Sequence, residues 1–311
     1  MAVDMKGKSL LSIADLTLEE IEQIFATTEM LKLQKKTGQP HPILAGRTLG
    51  MIFEKPSTRT RVSFEAGMYQ LGGYALYLSS NDLQLGRGET IADTTRVLSR
   101  YVDGIMARVF SHNTVVELAK YGSVPVINGL SDMEHPCQIL GDLFTAIEKK
   151  GKLAGLKMAY IGDGNNVCNS LLLGCAKVGM DMAAAHPRNY DPPASILDEA
   201  KKIAKKTGCK IKVSSDISSA LDGADIIYTD VWTSMGQDAE KKERLKAFSE
   251  YQVNEKMLKK AKDDVIVMHC LPAHRGEEIT DEVMDGPHAV VIDEAENRMH
   301  VQKAILALLI R

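Results

Sequence analysis

Short apolar runs alternate along this chain with longer segments in which apolar residues recur at three- and four-residue spacing. The short runs are typical of buried strands, and the longer segments are typical of helices. The predicted strands form two series, residues 48–53, 74–78, 104–107 and 124–127, then 156–161, 181–185, 210–213, 224–228, 265–268 and 289–292. Strands separated by helices of crossover length pair in parallel. We therefore predict an α/β fold class with two doubly wound parallel-sheet domains joined by helices.

The boundary between the predicted domains lies where a helix ends in charged residues and glycine, at Lys149-Lys150-Gly151-Lys152. We assign residues 1–150 to the first domain and residues 151–311 to the second. The last segment, about 294–310, is predicted to be a helix with an apolar face formed by Ala304, Ile305, Leu308 and Leu309. Because that face must be buried, we expect this C-terminal helix to pack back on the first domain.

Composition and charge exclude several classes of protein. With 311 residues, 44% of them hydrophobic and 25% charged, the chain is long enough for two packed cores and is ordinary for a folded globular protein. The formal net charge of -3 and the lack of a long basic run argue against a nucleic-acid partner. No apolar run has membrane-spanning length, and the N-terminus lacks the charged-then-apolar pattern of a secretion signal. We expect a cytoplasmic protein with no membrane partner.

Cofactor and metal signatures are incomplete. The five cysteines are widely spaced and form no C-x-x-C pair, which predicts reduced thiols. His269, Cys270 and His274 match no standard zinc spacing, so we predict no metal. The turn Gly162-Asp163-Gly164 follows a strand, but Val167 stands where the third glycine of a dinucleotide motif belongs, and the next strand ends without an acidic residue for a ribose. We predict no nicotinamide cofactor.

The segment 53–65 predicts an anion site. Pro56 ends a strand, Ser57 is a natural N-cap, and the helix that follows begins with hydroxyls and two arginines, Arg59 and Arg61. Free backbone N–H groups and the positive end of the helix dipole attract a phosphate, and guanidinium groups add forked donors. The alternative is a capped helix with solvated arginines. Because five polar residues crowd one turn, we favour the anion site.

Polar residues also follow the other predicted strands, at 81–84, 108, 135–138, 162–166, 230–236 and 269–272. Open parallel sheets bind ligands beyond the carboxyl ends of their strands, so these residues are candidates for one or more sites. Arg108 either extends to water or faces an anion, and His135 is either a capping residue or a ligand. Asn165 and Asn166 either form a turn or donate to a carboxylate. Taken with Arg59, the set favours donors arranged around an acyl phosphate.

Four motifs occur in order over nearly the whole chain: Pro56-Ser57-Thr58-Arg59-Thr60-Arg61, His135-Pro136-Cys137-Gln138, Asp230-Val231-Trp232-Thr233-Ser234-Met235-Gly236 and His269-Cys270-Leu271-Pro272. Together they resemble the ornithine carbamoyltransferases. The first motif alone marks only the wider aspartate/ornithine carbamoyltransferase family. Members that use aspartate typically carry threonine in place of Cys137 and lack the Ser-Met-Gly and His-Cys-Leu-Pro segments.

The resemblance implies an activity and a set of site residues. The activity is transfer of the carbamoyl group of carbamoyl phosphate to the side-chain amine of L-ornithine, giving L-citrulline and phosphate, without a cofactor. Residues implied to bind carbamoyl phosphate are Ser57, Thr58, Arg59, Thr60, Gln84, Arg108, His135, Gln138, Cys270, Leu271 and Arg298. Residues implied to bind ornithine are Asn166, Asp230, Ser234 and Met235. The implied catalytic residues are Arg59, Arg108, His135, Asp230 and Cys270.

The resemblance also implies a homotrimer, or a multiple of trimers, whose sites lie between subunits. Gln84 would reach a neighbouring subunit's site, although some relatives have histidine there. Two alternatives stay open: a carbamoyltransferase for another amine, such as putrescine or N-acetylornithine, and a non-catalytic anion-binding protein with the same fold. The sequence also leaves open whether Cys270 accepts the amine proton or only orients the amine.

Overall fold

The computed structural model describes residues 3–84, 88–234 and 238–310 of the chain. It consists of two compact units, one formed by Met1–Phe144 together with Glu296–Arg311 and the other by Thr145–Ala295. The division lies a few residues before the boundary predicted at residue 150, inside a continuous helix. Across the described ranges, no helix is both long enough and apolar enough to cross a membrane.

The first unit contains a four-stranded parallel sheet in the order β2-β1-β3-β4. Its strands are β1 (Thr48–Phe53), β2 (Tyr74–Ser79), β3 (Gly104–Arg108) and β4 (Val126–Leu130). The accompanying helices are α1 (Leu18–Lys36), α2 (Thr58–Gln70), α3 (Ile91–Leu98), α4 (His112–Tyr121) and α5 (Pro136–Lys150). A short 3-10 helix, Ile13–Asp15, precedes α1. Residues of β1 and β3, such as Met51 and Ile105, are fully buried, as expected for central strands of a parallel sheet.

The second unit contains a five-stranded parallel sheet in the order β7-β6-β5-β8-β9. Its strands are β5 (Lys157–Ile161), β6 (Asp181–Ala185), β7 (Ile211–Ser214), β8 (Ile226–Thr229) and β9 (Ile266–His269). Its helices are α6 (Asn166–Val178), α7 (Ala194–Thr207), α8 (Ile217–Leu221), α9 (Lys241–Ala247), α10 (Glu255–Leu258) and α11 (Asp281–Met284). The 3-10 segments Asp238–Glu240 and Ser249–Tyr251 flank α9, and α12 (Val291–Leu309) ends the chain and supplies the last residues of the first unit.

Helix caps explain where the helices next to the polar strand ends begin. The Ser57 hydroxyl accepts a hydrogen bond from the backbone N–H of Thr60 and so caps α2. The Asn165 side chain accepts bonds from the backbone N–H groups of Val167 and Cys168 and caps α6. At its other end α6 stops at Gly179, whose φ of 72° lies in the left-handed region that glycine adopts without strain. Each cap fixes the orientation of a strand–helix turn.

The core of the second unit lies on the face of the sheet where Ile161, Ile227 and Val267 are fully buried. Trp232 and Phe248 extend this core, with their rings stacked at a centroid distance of 5.7 Å. Burial of a large apolar side chain contributes roughly 1.5–3 kcal/mol each. The segment that follows β8 is therefore held against the core at Trp232.

The α/β fold class with two parallel sheets is confirmed. Strands β1 and β6 occupy the predicted residues 48–53 and 181–185. The other seven strands start within about two residues of their predicted positions, and β4 ends three residues later than predicted. The predicted tenth strand at 289–292 is wrong: Ala289 makes a single bridge to Val267, and Val291 and Ile292 begin α12. A short apolar run does not distinguish a strand from the first turn of a buried helix.

Candidate functional site

In the first unit, the start of α2 brings together hydroxyl and guanidinium groups. The Ser57 Oγ lies 3.2 Å from both the backbone N and the Oγ1 of Thr60. Thr60 is fully buried and accepts a hydrogen bond of 3.3 Å from the Nη2 of Arg298 on α12. Thus the last helix of the chain contributes a cation to the helix start that the sequence marked as an anion site.

His135 lies at the entrance of α5 and is almost completely buried. Burial lowers the pKa of His135 well below its usual value, and the positive charges of Arg298, Arg108 and Arg59 lower it further. The imidazole is therefore neutral at neutral pH and keeps one N–H as a donor. We call Arg59, Arg108, His135 and Arg298 the cation cluster.

Arg108 ends β3 and is paired in register with Phe53, the last residue of β1. Its side chain is buried, so it does not extend to water as one alternative from the sequence required. Burial lowers the pKa of Lys55, and the nearby charge of Arg108 adds to that effect. Lys55 was not among the predicted site residues. The sequence feature that could have indicated it is its position directly before the Pro56-Ser57 turn.

Cys137 and Gln138, in the first turn of α5, are both buried. The Cys137 thiol donates to the backbone oxygen of Asn128 over 3.5 Å, and burial raises its pKa to about 12. Cys137 is thus a packing residue and not a nucleophile. The Gln138 Nε2 donates to Asp142 at 2.7 Å, which orients the side-chain amide within α5.

Other polar residues near the start of α2 lie on its exposed side. The Arg61 Nε pairs with Glu65 at 3.0 Å, and the Arg61 guanidinium lies 4.0 Å from the centroid of the Tyr77 ring. Both of these partners are half-exposed side chains, and the expectation that Arg61 joins Arg59 as an anion donor stays a prediction. Thr58 and Gln84 are exposed.

In the second unit, Asp230 follows β8 and is buried. The Cys270 thiol donates to its Oδ1 at 3.0 Å, and the Asn165 Nδ2 donates to its Oδ2 at 2.8 Å. We call these three residues the Asp230 cluster. Asn165 caps α6 through Oδ1 and donates through Nδ2, and in the structure the carboxylate that its amide reaches is that of Asp230. A carboxylate that accepts two neutral donors keeps lone pairs for a cationic group.

The segment 269–271 is held by a chain of hydrogen bonds. The backbone N–H of His269 donates to Glu294 at 2.9 Å, and the His269 Nε2 lies 3.1 Å from the Oε1 of Glu278. The backbone N–H of Leu271 donates to the His269 Nδ1 at 2.8 Å, so Nε2 carries the ring proton. Leu271 itself adopts a φ of 58°. These contacts fix the direction in which Cys270 presents its thiol to Asp230.

The remaining residues implied to bind ornithine lie close in sequence to members of the Asp230 cluster. Asn166 is the first residue of α6, directly after the Asn165 cap, and Ser234 follows the buried pair Trp232 and Thr233. Both Asn166 and Ser234 are partly exposed. Met235, also implied by the resemblance, lies outside the described residues.

Among the residues that the structure describes, two groups of side chains in the second unit place metal-ligating atoms within 4.8 Å of one another, Asp230 with His269 and Cys270, and His274 with Glu277 and Glu278. The first group is engaged in the hydrogen bonds described above. In the second, the Lys241 ammonium lies 3.0 Å from Glu277 and supplies the opposite charge. The prediction of no metal and no cofactor stays a prediction.

The chain matches sequence models of two domains of one family. Residues 8–148 match the carbamoyl-P binding domain of aspartate/ornithine carbamoyltransferase, and residues 154–309 match its Asp/Orn binding domain. The chain belongs to the aspartate/ornithine carbamoyltransferase family. The cation cluster lies mostly in the first matched range, and the Asp230 cluster lies in the second.

Relatives within this family match the whole chain. A protein of Thermococcus kodakarensis named ornithine carbamoyltransferase is 58% identical, with 99% of this chain and 98% of that protein covered. A Pyrococcus furiosus protein named ornithine carbamoyltransferase, anabolic, is 56% identical over 99% of this chain and 98% of its own length. A solved structure of ornithine carbamoyltransferase from Pyrococcus furiosus superposes with a TM-score of 0.97 at 56% identity, covering 99% of this chain and 98% of that one. The Giardia lamblia enzyme structure, at 36% identity and 97% coverage of both chains, gives a TM-score of 0.88.

Proposed function

We propose that this member of the family is an ornithine carbamoyltransferase: it transfers the carbamoyl group of carbamoyl phosphate to the side-chain amine of L-ornithine and releases L-citrulline and phosphate. The observation that carries the proposal is the chemical contrast between its two clusters. The first unit gathers permanent cations and a neutral imidazole, and the second presents a buried carboxylate. Relatives that are 56% and 58% identical bear the name of this activity.

Carbamoyl phosphate suits the cation cluster and the start of α2. We assign the phosphate to Ser57, Thr58, Arg59 and Thr60, because free N–H groups at a helix start and a guanidinium together bind phosphate. Arg108, His135 and Arg298 then donate to the carbonyl oxygen and the bridging oxygen, with Gln138 close to the carbamoyl amide. A neutral His135 suits this role, because its N–H donates without adding a proton that titrates near neutral pH.

Ornithine suits the Asp230 cluster. Asp230 pairs with the α-ammonium group, and Asn166, at the start of α6, donates to the α-carboxylate. We assign Ser234 and Met235 to the same substrate. Cys270 donates to Asp230 at 3.0 Å and is thereby oriented toward the bound amino acid.

The reaction requires a neutral side-chain amine. Its lone pair attacks the carbonyl carbon, and the C=O electrons move to oxygen, where the arginines and the imidazole stabilise the developing charge. The carbonyl then re-forms, the C–O bond to phosphate breaks, and phosphate leaves with the bonding electrons. The amine proton passes to a phosphate oxygen, because the Cys270 sulfur already holds a proton, which it donates to Asp230. Neighbouring positive charge favours the neutral form of the amine.

We further propose a cytoplasmic homotrimer, or a multiple of trimers, that acts in arginine biosynthesis. The first unit exposes large apolar side chains, namely Val62, Tyr69, Tyr74, Tyr101 and Phe110. Strand β2 is an edge strand, and Tyr74 on it is 64% exposed. Exposed apolar side chains of this size favour association between copies. Under this proposal Gln84, also exposed, contributes to the site of a neighbouring copy. Sedimentation would test the assembly, and a monomer would contradict it.

An acceptor panel tests the activity. Citrulline or its analogue is measured with carbamoyl phosphate and, in turn, L-ornithine, L-lysine, L-aspartate, putrescine and N-acetylornithine. We expect L-ornithine to give the highest kcat/KM. Preference for putrescine or N-acetylornithine would assign the chain to another acceptor, and no phosphate release with any amine would indicate a non-catalytic anion-binding protein.

A further inference from the structure

Arg244, on α9, joins two turns of the second unit through one guanidinium group. Its Nη1 donates to the Oδ2 of Asp163 at 2.8 Å and to the backbone oxygen of Trp232 at 3.0 Å. Asp163 belongs to the turn after β5, and Trp232 belongs to the segment after β8. The two turns are thus fixed to each other by a side chain that reaches them from a third element.

Both turns carry residues that we assign to ornithine. Asp163 lies two residues before Asn165, which binds Asp230, and three before Asn166. Trp232 lies two residues after Asp230 and two before Ser234. A change in the spacing of these turns would therefore move the donors for the carboxylate relative to the acceptor for the ammonium group.

The guanidinium is itself held in place from other sides. Its Nε donates to Glu240 at 2.9 Å, and its central carbon lies 5.0 Å from the centroid of the Tyr190 ring. Side chains of Arg244 and Asp163 are only 8% and 9% exposed, so this ion pair is shielded from water, whereas Glu240 is 57% exposed. The Asp163 and Trp232 contacts are the buried ones, and those contacts determine the spacing.

Burial raises the pKa of Asp163, and the charge of Arg244 opposes that rise. Without Arg244, the Asp163 carboxylate would be left buried without this partner, and the turn would have to relax to reach water or another donor. Lysine would keep the charge but not the rigid guanidinium in which Nη1 donates to the carboxylate and the carbonyl while Nε donates to Glu240.

We propose that Arg244 is a positioning residue for the amino-acid substrate: by tying the Asp163 turn to the Trp232 segment, it sets the geometry in which Asn166, Asp230 and Ser234 hold ornithine. The inference rests on the proposed function and extends it to a residue that touches no substrate. It predicts that Arg244 affects ornithine recognition and leaves carbamoyl phosphate recognition unchanged.

The test compares Arg244→Gln and Arg244→Lys with two controls. Arg275→Gln removes another arginine of the same unit, one that pairs with Asp281 and Asp285 at the surface. Glu240→Gln removes the negative charge of the exposed partner of Arg244 while leaving its two buried contacts. Initial rates give kcat and KM for each substrate, and thermal melting reports the folded fraction.

For Arg244→Gln we expect KM for ornithine to rise about tenfold or more, with KM for carbamoyl phosphate within about twofold of the unmodified chain. Arg244→Lys should recover part of the ornithine KM, and both controls should stay within about twofold for both substrates. Equal changes in the two KM values, or an unchanged ornithine KM, would overturn the proposal.

If the Arg244 variants do not fold, Asp163→Asn tests the same contact. It keeps the size of the side chain and removes the charge that Arg244 binds. It should shift KM for ornithine in the same direction and by a smaller factor, and an unchanged value would overturn the proposal. Failure of the proposed function is distinguishable, since it would appear as absence of citrulline formation by the unmodified chain with ornithine.

Discussion

The cation cluster of the first unit and the Asp230 cluster of the second differ in the sign of the charge that each presents. In the first, the charges are arginines, which stay protonated, and the one titratable member, His135, is kept neutral by burial and by the arginines around it. In the second, a single carboxylate is held by two neutral donors, the Cys270 thiol and the Asn165 amide. The first arrangement prepares a site for an anion, and the second prepares a site for a cation.

The two clusters also differ in how they are built. The cation cluster takes its residues from the ends of strands, the starts of helices and α12, and it places three permanent positive charges around one buried imidazole. The Asp230 cluster is a hydrogen-bonded network that is satisfied in the absence of ligand. We therefore expect substitutions in the first cluster to impair chemistry most and substitutions in the second to impair ornithine binding most.

The largest effect is expected for Arg108→Ala. Removing a buried donor to the developing oxyanion should raise the barrier by about 3 kcal/mol, which lowers kcat on the order of a hundredfold. The matched control is Arg61→Ala on α2, where the lost arginine pairs with Glu65 and lies over the Tyr77 ring near the surface. Steady-state citrulline formation measures both. Similar losses for the two variants would remove the distinction between clustered and peripheral arginines.

Asp230→Asn should have the next largest effect, and this effect should be on the binding of ornithine. Loss of the charge that pairs with the ammonium group should weaken the binding free energy of ornithine by about 2 kcal/mol, which raises KM for ornithine roughly thirtyfold. KM for carbamoyl phosphate should change little. Asp264→Asn is the control, since Asp264 is exposed and pairs with Lys150 in the same unit. If both substrates lost affinity equally, the division of labour between the clusters would be contradicted.

Cys270→Ala should have a smaller effect than Asp230→Asn, because it removes a neutral donor and leaves the carboxylate. We expect Cys270→Ala to lose about 1 kcal/mol of transition-state stabilisation, measured as a lower kcat/KM for ornithine. Cys270→Ser should retain more activity than Cys270→Ala, because its hydroxyl still donates to Asp230. Cys168→Ala, in the buried face of α6, is a control for thiol removal. A serine variant no better than alanine would argue against orientation through the Asp230 hydrogen bond.

The smallest effect concerns a titratable cation of the first unit that is separate from the cluster. Lys303 on α12 is fully buried, donates to Gln70 at 3.0 Å and lies 2.6 Å from the His41 Nε2. Burial lowers the pKa of Lys303 from 10.5 to about 8. Between those pH values the unfolded chain binds the extra proton, so stability should rise as pH increases from about 8 to 10.5.

Thermal melting over that pH range measures this contribution. Lys303→Met should flatten it, because methionine has similar length and no titratable group. Lys260→Met, which removes a surface lysine bonded to Ser218, should leave the slope unchanged. A stability that falls over this range in the unmodified chain, and not in Lys303→Met, would contradict the sign of the effect.

Local sequence signals predicted most of the first cluster. A proline, an N-cap serine and arginines in one helical turn mark the start of α2, and Arg108 directly follows an apolar strand. Arg61 was a candidate beside Arg59, but residues two apart on a helix point to different faces, and the sequence does not say which face is buried. Arg298 was assigned through the resemblance, since its contact with Thr60 joins residues far apart in the chain.

The second cluster depends more on tertiary contacts. The sequence marked Asp230 and Cys270 at strand ends, but their hydrogen bond depends on the neighbouring positions of β8 and β9 in the sheet. The sequence did not indicate a role for Arg244, because an arginine in a polar helix is typical of an exposed face. Its role follows only from the two turns that it contacts. The tenth predicted strand failed for a related reason, since Val290 and Val291 are buried although Val291 and Ile292 begin α12, and an apolar run of four residues does not show which conformation buries it.

A crystal structure with a non-hydrolysable phosphonate mimic of carbamoyl phosphate would show whether the cation cluster binds the anionic substrate. We expect the phosphonate at the start of α2, within hydrogen-bond distance of Ser57, Arg59 and Thr60, with the amide carbonyl directed to Arg108 and His135. A phosphonate bound away from α2, with the cation cluster unchanged from the unliganded protein, would contradict the assignment of this cluster to the anionic substrate.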